Sequence, residues 1–510
     1  MRGPHNIWRL IVTGATMERT GAMGAILDAM DAPRPIRIVA RMVAWPIRWL
    51  GYKGDPTMPP ATRALSALGP AYIKFGQVLS TRPDVVGDEM AQHLRVLQDK
   101  LPPFPVDVAK ASFAAEMGIP VDQVFSEFSK PVAAASIAQV HKARLTDTGE
   151  EVAVKVLRPG IERAFRKDID AFYFAADVIE FLSPASRRLR PRDVIKHFEG
   201  VVEGELDLRL ESASASEFAA NTVDDAGFQL PSIKWHLSGR RVMTMTWAEG
   251  LPLGDNAALD AAGHDRAALG ERVLQLFLSH ALRDGFFHAD MHQGNLKVAA
   301  NGDIIAYDFG IMGHIDEYTR RVYAEILFGF IQRDYMRVAE VHFEAGYVNS
   351  HHDVDEFARA LRAVGEPIFG MDASHISMGR LLNYLFEVTE RFGMETRTEL
   401  ILLQRTMVVV EGVARSLYPQ INIWEVAKPV VESYILQSIG PRAFAQDLAR
   451  TARVLARFGP RLPQLMETAL IRQSEPPPKP PRLGVRRGMV WMVAGVAVGM
   501  AGTLSVLWLG

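Results

Sequence analysis

The sequence predicts an α+β fold in two lobes, and three observations carry that prediction. Residues 131–250 contain strand-length alternations of apolar and polar residues separated by small-residue turns. Residues 251–472 go over to helical periodicity. Between the two patterns, the stretch FFHADMHQGNLKVAANGDIIAYDFG (Phe286 to Gly310) sets Asp290, Asn295 and Asp308 five and then thirteen positions apart.

That spacing supplies the chemistry. Phosphoryl-transfer sites use an H-x-D-x-x-x-x-N loop followed by D-F-G, with the first carboxylate at the attacking hydroxyl and the amide and second carboxylate on Mg²⁺. Magnesium takes hard oxygen ligands and only one or two carboxylates from protein, the rest coming from phosphate and water. LKVAANGDIIAYDFG reads as two short strands joined at Asn301-Gly302, a strong hairpin signal. A tight hairpin with incidental acids would explain a lone D-F-G, but not one at this distance from HADMHQGN. The predicted fold is therefore protein-kinase-like, with an N-terminal helical extension and a C-terminal transmembrane helix.

With 510 residues, 48% of them hydrophobic, the chain can bury a large core. A net charge of −2 argues against a general nucleic-acid surface. The chain has no Cys, which excludes disulfides, thiolate metal sites and cysteine nucleophiles.

Residues 1–64 form a basic, amphipathic segment. Arg2, Arg9, Arg19, Arg34, Arg37, Arg41 and Arg48 stand against Glu18, Asp28 and Asp31 in the first fifty residues. The run IRIVARMVAWPIRWLG suits a helix lying on a membrane surface, and equally an N-terminal helix packed on the core with its arginines outward. No apolar stretch followed by a small-residue cleavage site marks a signal peptide.

Residues 65–130 are a helical extension. Pro70 suits a first helical turn and Pro83 bars continuation, so LGPAYIKFGQVLSTRPD predicts a helix of about twelve residues. Lys74 and Gln77 are neighbours on its surface. Gly76 inside it costs about 1 kcal/mol against Ala, so something must approach the backbone there. Read alone, Lys74 is a solvated helix lysine.

Residues 131–250 form the smaller lobe. PVAAASIAQVHKARLTDTGEEVAVKVLRPG reads as strand, small-residue turn, strand, turn, strand. Val152, Val154 and Val156 face one side of the last strand, and Lys155 shares the other with Ala153 and Leu157, where it can reach phosphates. Ala133, Ala134, Ala135, Ser136, Ile137 and Ala138 stand where protein kinases put glycines. Alanines allow close approach to a nucleotide but do not adopt the φ > 0 conformations open to glycine. IKHFEGVVEGELDLRLESASASEF reads as one acidic helix, with Asp207 and Glu211 on one face and Glu205 elsewhere. Alone it would be a solvated acidic face; the kinase scheme requires one of its glutamates to pair with Lys155. PSIKWHLSGRRVMTMTWAEGLPL reads as strands around Gly239 and then a connector between the lobes.

Residues 251–472 form the helical lobe, with breaks expected near Gly346, Gly370, Pro419 and Pro429. No A-P-E follows the D-F-G, and Ala289 stands where kinases carry the Arg of H-R-D. Residues 473–488, with SEPPPKPPRLGVRRG at their core, are a Pro-rich linker. Residues 489–509 carry no charge over about 31 Å of helix, enough for a single membrane span. Arg482, Arg486 and Arg487 put the preceding side in the cytoplasm, and Gly495 and Gly499 offer a G-x-x-x-G pairing face.

Taken together, KFGQ at Lys74 to Gln77, AAASIAQVH at Ala133 to His141, ELD at Glu205 to Asp207, HADMHQGN and DFG resemble the UbiB family of atypical kinases. These are ubiquinone-biosynthesis accessory proteins of bacteria and mitochondria, and the resemblance runs from about Leu65 to the C-terminus. It implies ATP or ADP with Mg²⁺ as cofactors. Lys155 would pair with Glu211 and hold phosphates under Ala133 to Ala138, Asp290 would be the catalytic acid, and Asn295 and Asp308 would hold the metal. Lys74, Gln77, Glu205 and Asp207 would make lid contacts over the cleft, in place of a peptide-docking platform. Gln293 departs from the family's usual Pro, and a looser loop is expected there. The family often carries two C-terminal membrane helices, and this sequence has one.

Two functions follow. One is a membrane-anchored Mg²⁺–ATP-dependent phosphotransferase or ATPase supporting quinone biosynthesis at the bacterial inner membrane. Its expected partners are membrane lipid, prenylated precursors, other enzymes of that biosynthesis and a second copy of the chain. The alternative is a nucleotide-binding scaffold that organises such enzymes. Nothing in the sequence supports a flavin site or an oxygenase metal triad.

Overall fold

A computed structural model of the chain describes residues 4–29, 45–80, 102–182, 190–369, 391–394 and 398–438. It also describes Ile38, Met42, Met90, His93, Leu94, Leu97 and Val388. The Pro-rich linker and the 489–509 stretch lie outside the described residues, and among the described ones no helix is long and apolar enough to cross a membrane.

The chain opens with helices α1 (Pro4–Thr20) and α2 (Ala22–Ala29) and a 3₁₀ turn at Trp45–Leu50. Helices α3 (Pro60–Leu68) and α4 (Pro70–Ser80) follow, each begun by a proline whose missing N–H costs nothing in a first turn. The run IRIVARMVAWPIRWLG, read either as a membrane-surface helix or as one packed on the core, lies outside the described residues over most of 36–44, while α1 ahead of it packs on the rest of the chain. Arg9 Nε pairs with Asp168 Oδ1 at 2.8 Å, and the Thr13 and Tyr72 hydroxyls meet at 2.6 Å. Gly76 on α4 has a steric reason: a Cβ there would lie 2.4 Å from Leu97 Cδ1 and 2.6 Å from Leu65 Cδ1.

After α5 (Val106–Met117) comes an antiparallel sheet in the order β1-β2-β3-β5. Its strands are β1 (Phe125–Ala134), β2 (Ala138–Leu145), β3 (Glu151–Leu157) and, later in the chain, β5 (Val242–Thr246). The alternation in β3 sorts as its pattern predicts. Val152, Val154 and Val156 are buried with Phe113, Phe125 and Leu237, and Ala153 and Leu157 join the main core on the other face. Ahead of β5, the stretch expected to be a strand contains a 3₁₀ turn at Trp235–Leu237 and one bridge, Ile233 to Met245.

Between β3 and β5 lie α6 (Ile161–Leu182), α7 (Pro191–Glu205) and α8 (Leu208–Asn221). The single acidic helix expected here is two. Asp207 has extended backbone, φ −126°, and its carboxylate accepts from Arg209 N, so it caps α8 rather than continuing α7. Asp at an N-cap satisfies an amide that has no partner within the helix. The break redirects the two glutamates: Glu205 ends α7, and Glu211 stands in the first turn of α8.

The helical lobe carries a small sheet in the order β4-β9-β8-β6 and a strand pair β7-β10. Strand β4 (Phe228–Gln229) precedes β5, and β6 (Leu251–Pro252) follows the connector at residues 247–250. Next are α9 (Asn256–Ala261) and α10 (Arg266–Ser279), which runs through a π-helical turn into β7 (Phe286–His288). Strands β8 (Leu296–Val298) and β9 (Ile304–Ala306) form the Asn301-Gly302 hairpin, with Gly302 at φ +88°, and β10 (Met312–His314) closes back on β7. Helices α11 (Glu317–Gln332), α12 (Tyr335–Glu344), α13 (Val354–Phe369), α14 (Thr398–Leu417) and α15 (Ile423–Ser438) complete the described lobe. Pro429, expected to break a helix, lies inside α15. Burial of Val426, Ala427 and Val431 around it offsets the lost backbone hydrogen bond.

Candidate active site

Lys155 stands in the cleft face of the sheet. By register it pairs with Val140 on one side and Met243 on the other. Its Nζ donates to Glu211 Oε1 at 2.6 Å and lies 3.6 Å from Asp308 Oδ1. Burial alone would pull the ammonium down, but the Asp308 and Glu211 carboxylates outweigh it and hold Lys155 above the ordinary lysine range. Asp308 is held low, first by Lys155 and against its partial burial, with Gly310 N donating to its Oδ1 at 3.1 Å. About 44% of the Asp308 side chain remains open.

The loop from His288 to Asn295 is built by short-range bonds. His288 Nδ1 accepts from Asp290 N at 3.1 Å, and burial keeps this imidazole below its usual range and so neutral. Asn295, only 8% exposed, donates through Nδ2 to the Asp290 carbonyl at 3.0 Å and to Asp290 Oδ2 at 3.2 Å. This network assigns the amide orientation and leaves Asn295 Oδ1 as an acceptor. The Asp290 carboxylate is 38% open and has His292 Nε2 at 3.5 Å.

One cation against the Glu211, Asp308 and Asp290 carboxylates leaves the cluster with an excess of two negative charges. Among the described residues no cluster of three or more His, Asp or Glu side chains could hold a metal by itself. The donor set fits Mg²⁺ in the company of a nucleotide: one amide oxygen, one carboxylate, and positions left for phosphate and water.

The alanine loop turns with Ala135 N donating to Ala138 O at 2.8 Å, and none of Ala133, Ala134, Ala135, Ser136, Ile137 or Ala138 has positive φ. Arg158, just past β3, grips the turn: its Nε and Nη2 donate to Ala135 O at 3.1 and 2.9 Å, and its Nη1 to Pro102 O at 3.0 Å. Beside it Gln139 clamps the Phe104 backbone, accepting from N at 3.0 Å and donating to O at 3.3 Å. The Gln139 amide also donates to His141 Nε2 at 2.9 Å, leaving the Nδ1 proton for Ser129 O at 2.8 Å. Sequence reading missed Arg158, Gln139 and His141. Their partners are far along the chain or in main chain, and only the position of Gln139 and His141 within AAASIAQVH marked two of them.

Lys74 is not a solvated lysine. Its Nζ lies 2.6 Å from Glu205 Oε1, with 12% and 13% of the two side chains exposed. Glu205 is close enough to help raise Lys155, so α4 reaches the edge of the cluster. Phe75 stacks on Phe172 and meets Phe198 edge-on, fixing α4 to α6 and α7. Gln77 Nε2 donates to Leu97 O at 3.3 Å. Asp207 is taken up by its cap and by Arg209, whose Nε and Nη2 lie 2.9 and 2.6 Å away, and so does not share a helical face with Glu211 as expected. Gln293 does not loosen its loop: its amide donates to Ser416 Oγ on α14, while Thr406 Oγ1 donates to Ala289 O at 3.0 Å.

The family models match in two places. Residues 96–342 match an ABC1 atypical kinase-like domain and residues 361–422 a UbiB helical domain. The probable protein kinase UbiB of Marinobacter nauticus is 38% identical over 89% of this chain and 84% of its own length. The chain belongs to the UbiB family. Another UbiB relative, the probable protein kinase UbiB of Shewanella pealeana, is 39% identical over 79% of this chain and 74% of its own. Among solved structures, Rv3197 of Mycobacterium tuberculosis in complex with erythromycin matches with a TM-score of 0.51 at 26% identity, over 70% of this chain and 90% of that one. In this UbiB chain the Thr406 and Gln293 bonds tie the helical domain to the kinase-like domain at the loop that carries Asp290 and Asn295.

Proposed function

We propose that this UbiB-family chain is a membrane-anchored, Mg²⁺–ATP-dependent phosphotransferase or ATPase that supports the biosynthesis of ubiquinone or a related polyprenyl quinone. The observation that carries the reading is Lys155 held between Glu211 and Asp308, with Asp290 and Asn295 on the adjoining loop. Lys155 binds phosphate oxygens, the alanine loop covers them, and Asp290 accepts the proton of the attacking hydroxyl or water. Asn295 and Asp308 would hold Mg²⁺, which supplies neutralisation of phosphate charge.

The lid reading of α4 rests on the Lys74–Glu205 pair at the cluster's edge. A cleft covered there suits a small or membrane-borne acceptor, and prenylated quinone precursors are the proposed substrates or regulators. The uncharged stretch 489–509, with arginines before it, supports a single-pass inner-membrane anchor with the kinase-like domain in the cytoplasm. Gly495 and Gly499 support pairing of two copies there.

A second reading, a nucleotide-binding scaffold for other biosynthetic enzymes, is favoured by the pinning of the alanine loop by Arg158. Extracting quinones from cells that lack the protein separates the readings. Quinone is expected to fall and prenylated precursors to rise, with recovery on return of the parent but not of Asp290→Asn. Recovery with Asp290→Asn would favour the scaffold, and unchanged pools would remove the role in quinone biosynthesis.

A further inference from the structure

The cleft face of the sheet continues past Lys155 toward the connector. Lys142 pairs with Ala153, and Ala153 with Met245, in the next row of that face. Trp247 N donates to Glu151 O at 2.9 Å in the row beyond. Trp247 therefore shares the face of Lys155, about 13 Å along the strand direction at ~3.3 Å per residue. If phosphates lie at Lys155, the base of the same nucleotide lies under this end of the sheet, against the connector.

That place holds a cation. Lys297, on β8 two residues after Asn295, donates through Nζ to the connector carbonyl of Ala248 at 2.7 Å. Its ammonium lies 4.8 Å from the Trp247 ring centroid and 5.5 Å from that of Tyr307, the residue before Asp308. The Tyr307 hydroxyl donates to Gly294 O, which holds that ring in place. The connector itself is pressed on β8: a Cβ at Gly250 would lie 2.5 Å from Val298 O. Lys142, whose ammonium lies 5.1 Å from the Trp247 ring centroid, is paired with Glu151 at 2.6 Å. Among the described residues no carboxylate lies within ion-pair distance of Lys297.

We infer that Lys297 is a specificity residue of the nucleotide site, reading the 6-position of a purine base. The inference rests on the nucleotide-binding reading above. A bare connector carbonyl accepts from a 6-amino group, as in adenine. Here that acceptor is already engaged, and what faces the base is an ammonium with further protons to donate. A 6-keto purine can accept from Lys297 where it stands. A 6-amino purine must displace it from Ala248 O and leave two donors facing each other. ATP and inosine triphosphate differ in the purine ring only at this position and in the N1 proton that accompanies the keto group, which makes them the discriminating pair.

The test measures the dissociation constants of Mg²⁺–ATP and Mg²⁺–inosine triphosphate for the full-length parent, for Lys297→Met, which keeps an unbranched stem against Trp247, and for Lys297→Leu. Each variant is expected to bind ATP more tightly and inosine triphosphate more weakly. The ratio of the two constants should change by about tenfold, the effect of one hydrogen bond to a charged group. Measurable binding with an unchanged ratio in both variants would make Lys297 a packing residue and overturn the inference alone. Failure of the parent to bind either nucleotide would remove the nucleotide reading and this inference with it.

Discussion

Asp290→Asn is expected to slow nucleotide turnover by about 10²- to 10⁴-fold, the usual contribution of a positioned acid or base. The substitution keeps the size of the side chain and its contact with Asn295, which lies 3.2 Å from Asp290 Oδ2. It removes the capacity to take a proton, together with one of the cluster's negative charges. Because Lys155, Asn295 and Asp308 are untouched, Mg²⁺–nucleotide affinity should stay within a fewfold of the parent. Phosphate release at saturating nucleotide checks the first part and a binding titration the second. Turnover at the parent rate would show that Asp290 is not the proton acceptor.

Glu211→Ala is expected to destabilise the fold by about 3 kcal/mol, the low end for breaking a buried ion pair. Lys155 and Glu211 keep only 15% and 11% of their side chains exposed, so the abandoned ammonium is poorly hydrated. Asp308 at 3.6 Å still offsets part of its charge, which sets the low end. Glu211→Gln retains an acceptor and should cost clearly less, while joint replacement of Lys155 and Glu211 by Met and Leu should recover much of the loss. Denaturant unfolding gives these differences directly. A change under about 0.5 kcal/mol for Glu211→Ala, the size of an ordinary surface substitution, would mean the pair is not held as described.

That Lys155 meets Asp308 and Asn295 meets Asp290 was legible because the kinase-like pattern sets those residues at spacings fixed within one loop, one hairpin and one alternating strand. Gly76 was legible as a close approach, although not that Leu97 and Leu65 make it. Asp207 was misread because E-L-D-L-R-L continues a helical pattern without interruption. The one local sign of the break was an Asp able to cap, and tertiary packing decided that it did. Lys74, read from its helix alone, was taken as solvated, and only the resemblance set it with Glu205. Helical phase places it beside Gln77 but does not say which face docks, and its partner Glu205 comes more than a hundred residues later. Arg158 on Ala135, Gln139 on Phe104 and Lys297 on Ala248 are nearer in sequence, 23, 35 and 49 residues apart, and were hidden because a side chain bonded to main chain leaves no pattern in the partner's sequence.

The central claim, that Lys155, Asn295 and Asp308 form one phosphate and metal site, is tested most directly by the thermal stability of the full-length protein with nucleotide and Mg²⁺. A ligand that binds only the folded state stabilises it by about 2.7 kcal/mol at a hundredfold excess over its dissociation constant. The parent should show a rise in unfolding temperature with ATP that grows when Mg²⁺ is added, and Asp308→Asn should lose the Mg²⁺-dependent part. A parent unmoved by millimolar nucleotide and Mg²⁺, or an Asp308→Asn variant stabilised as strongly as the parent, would contradict the assignment of the site.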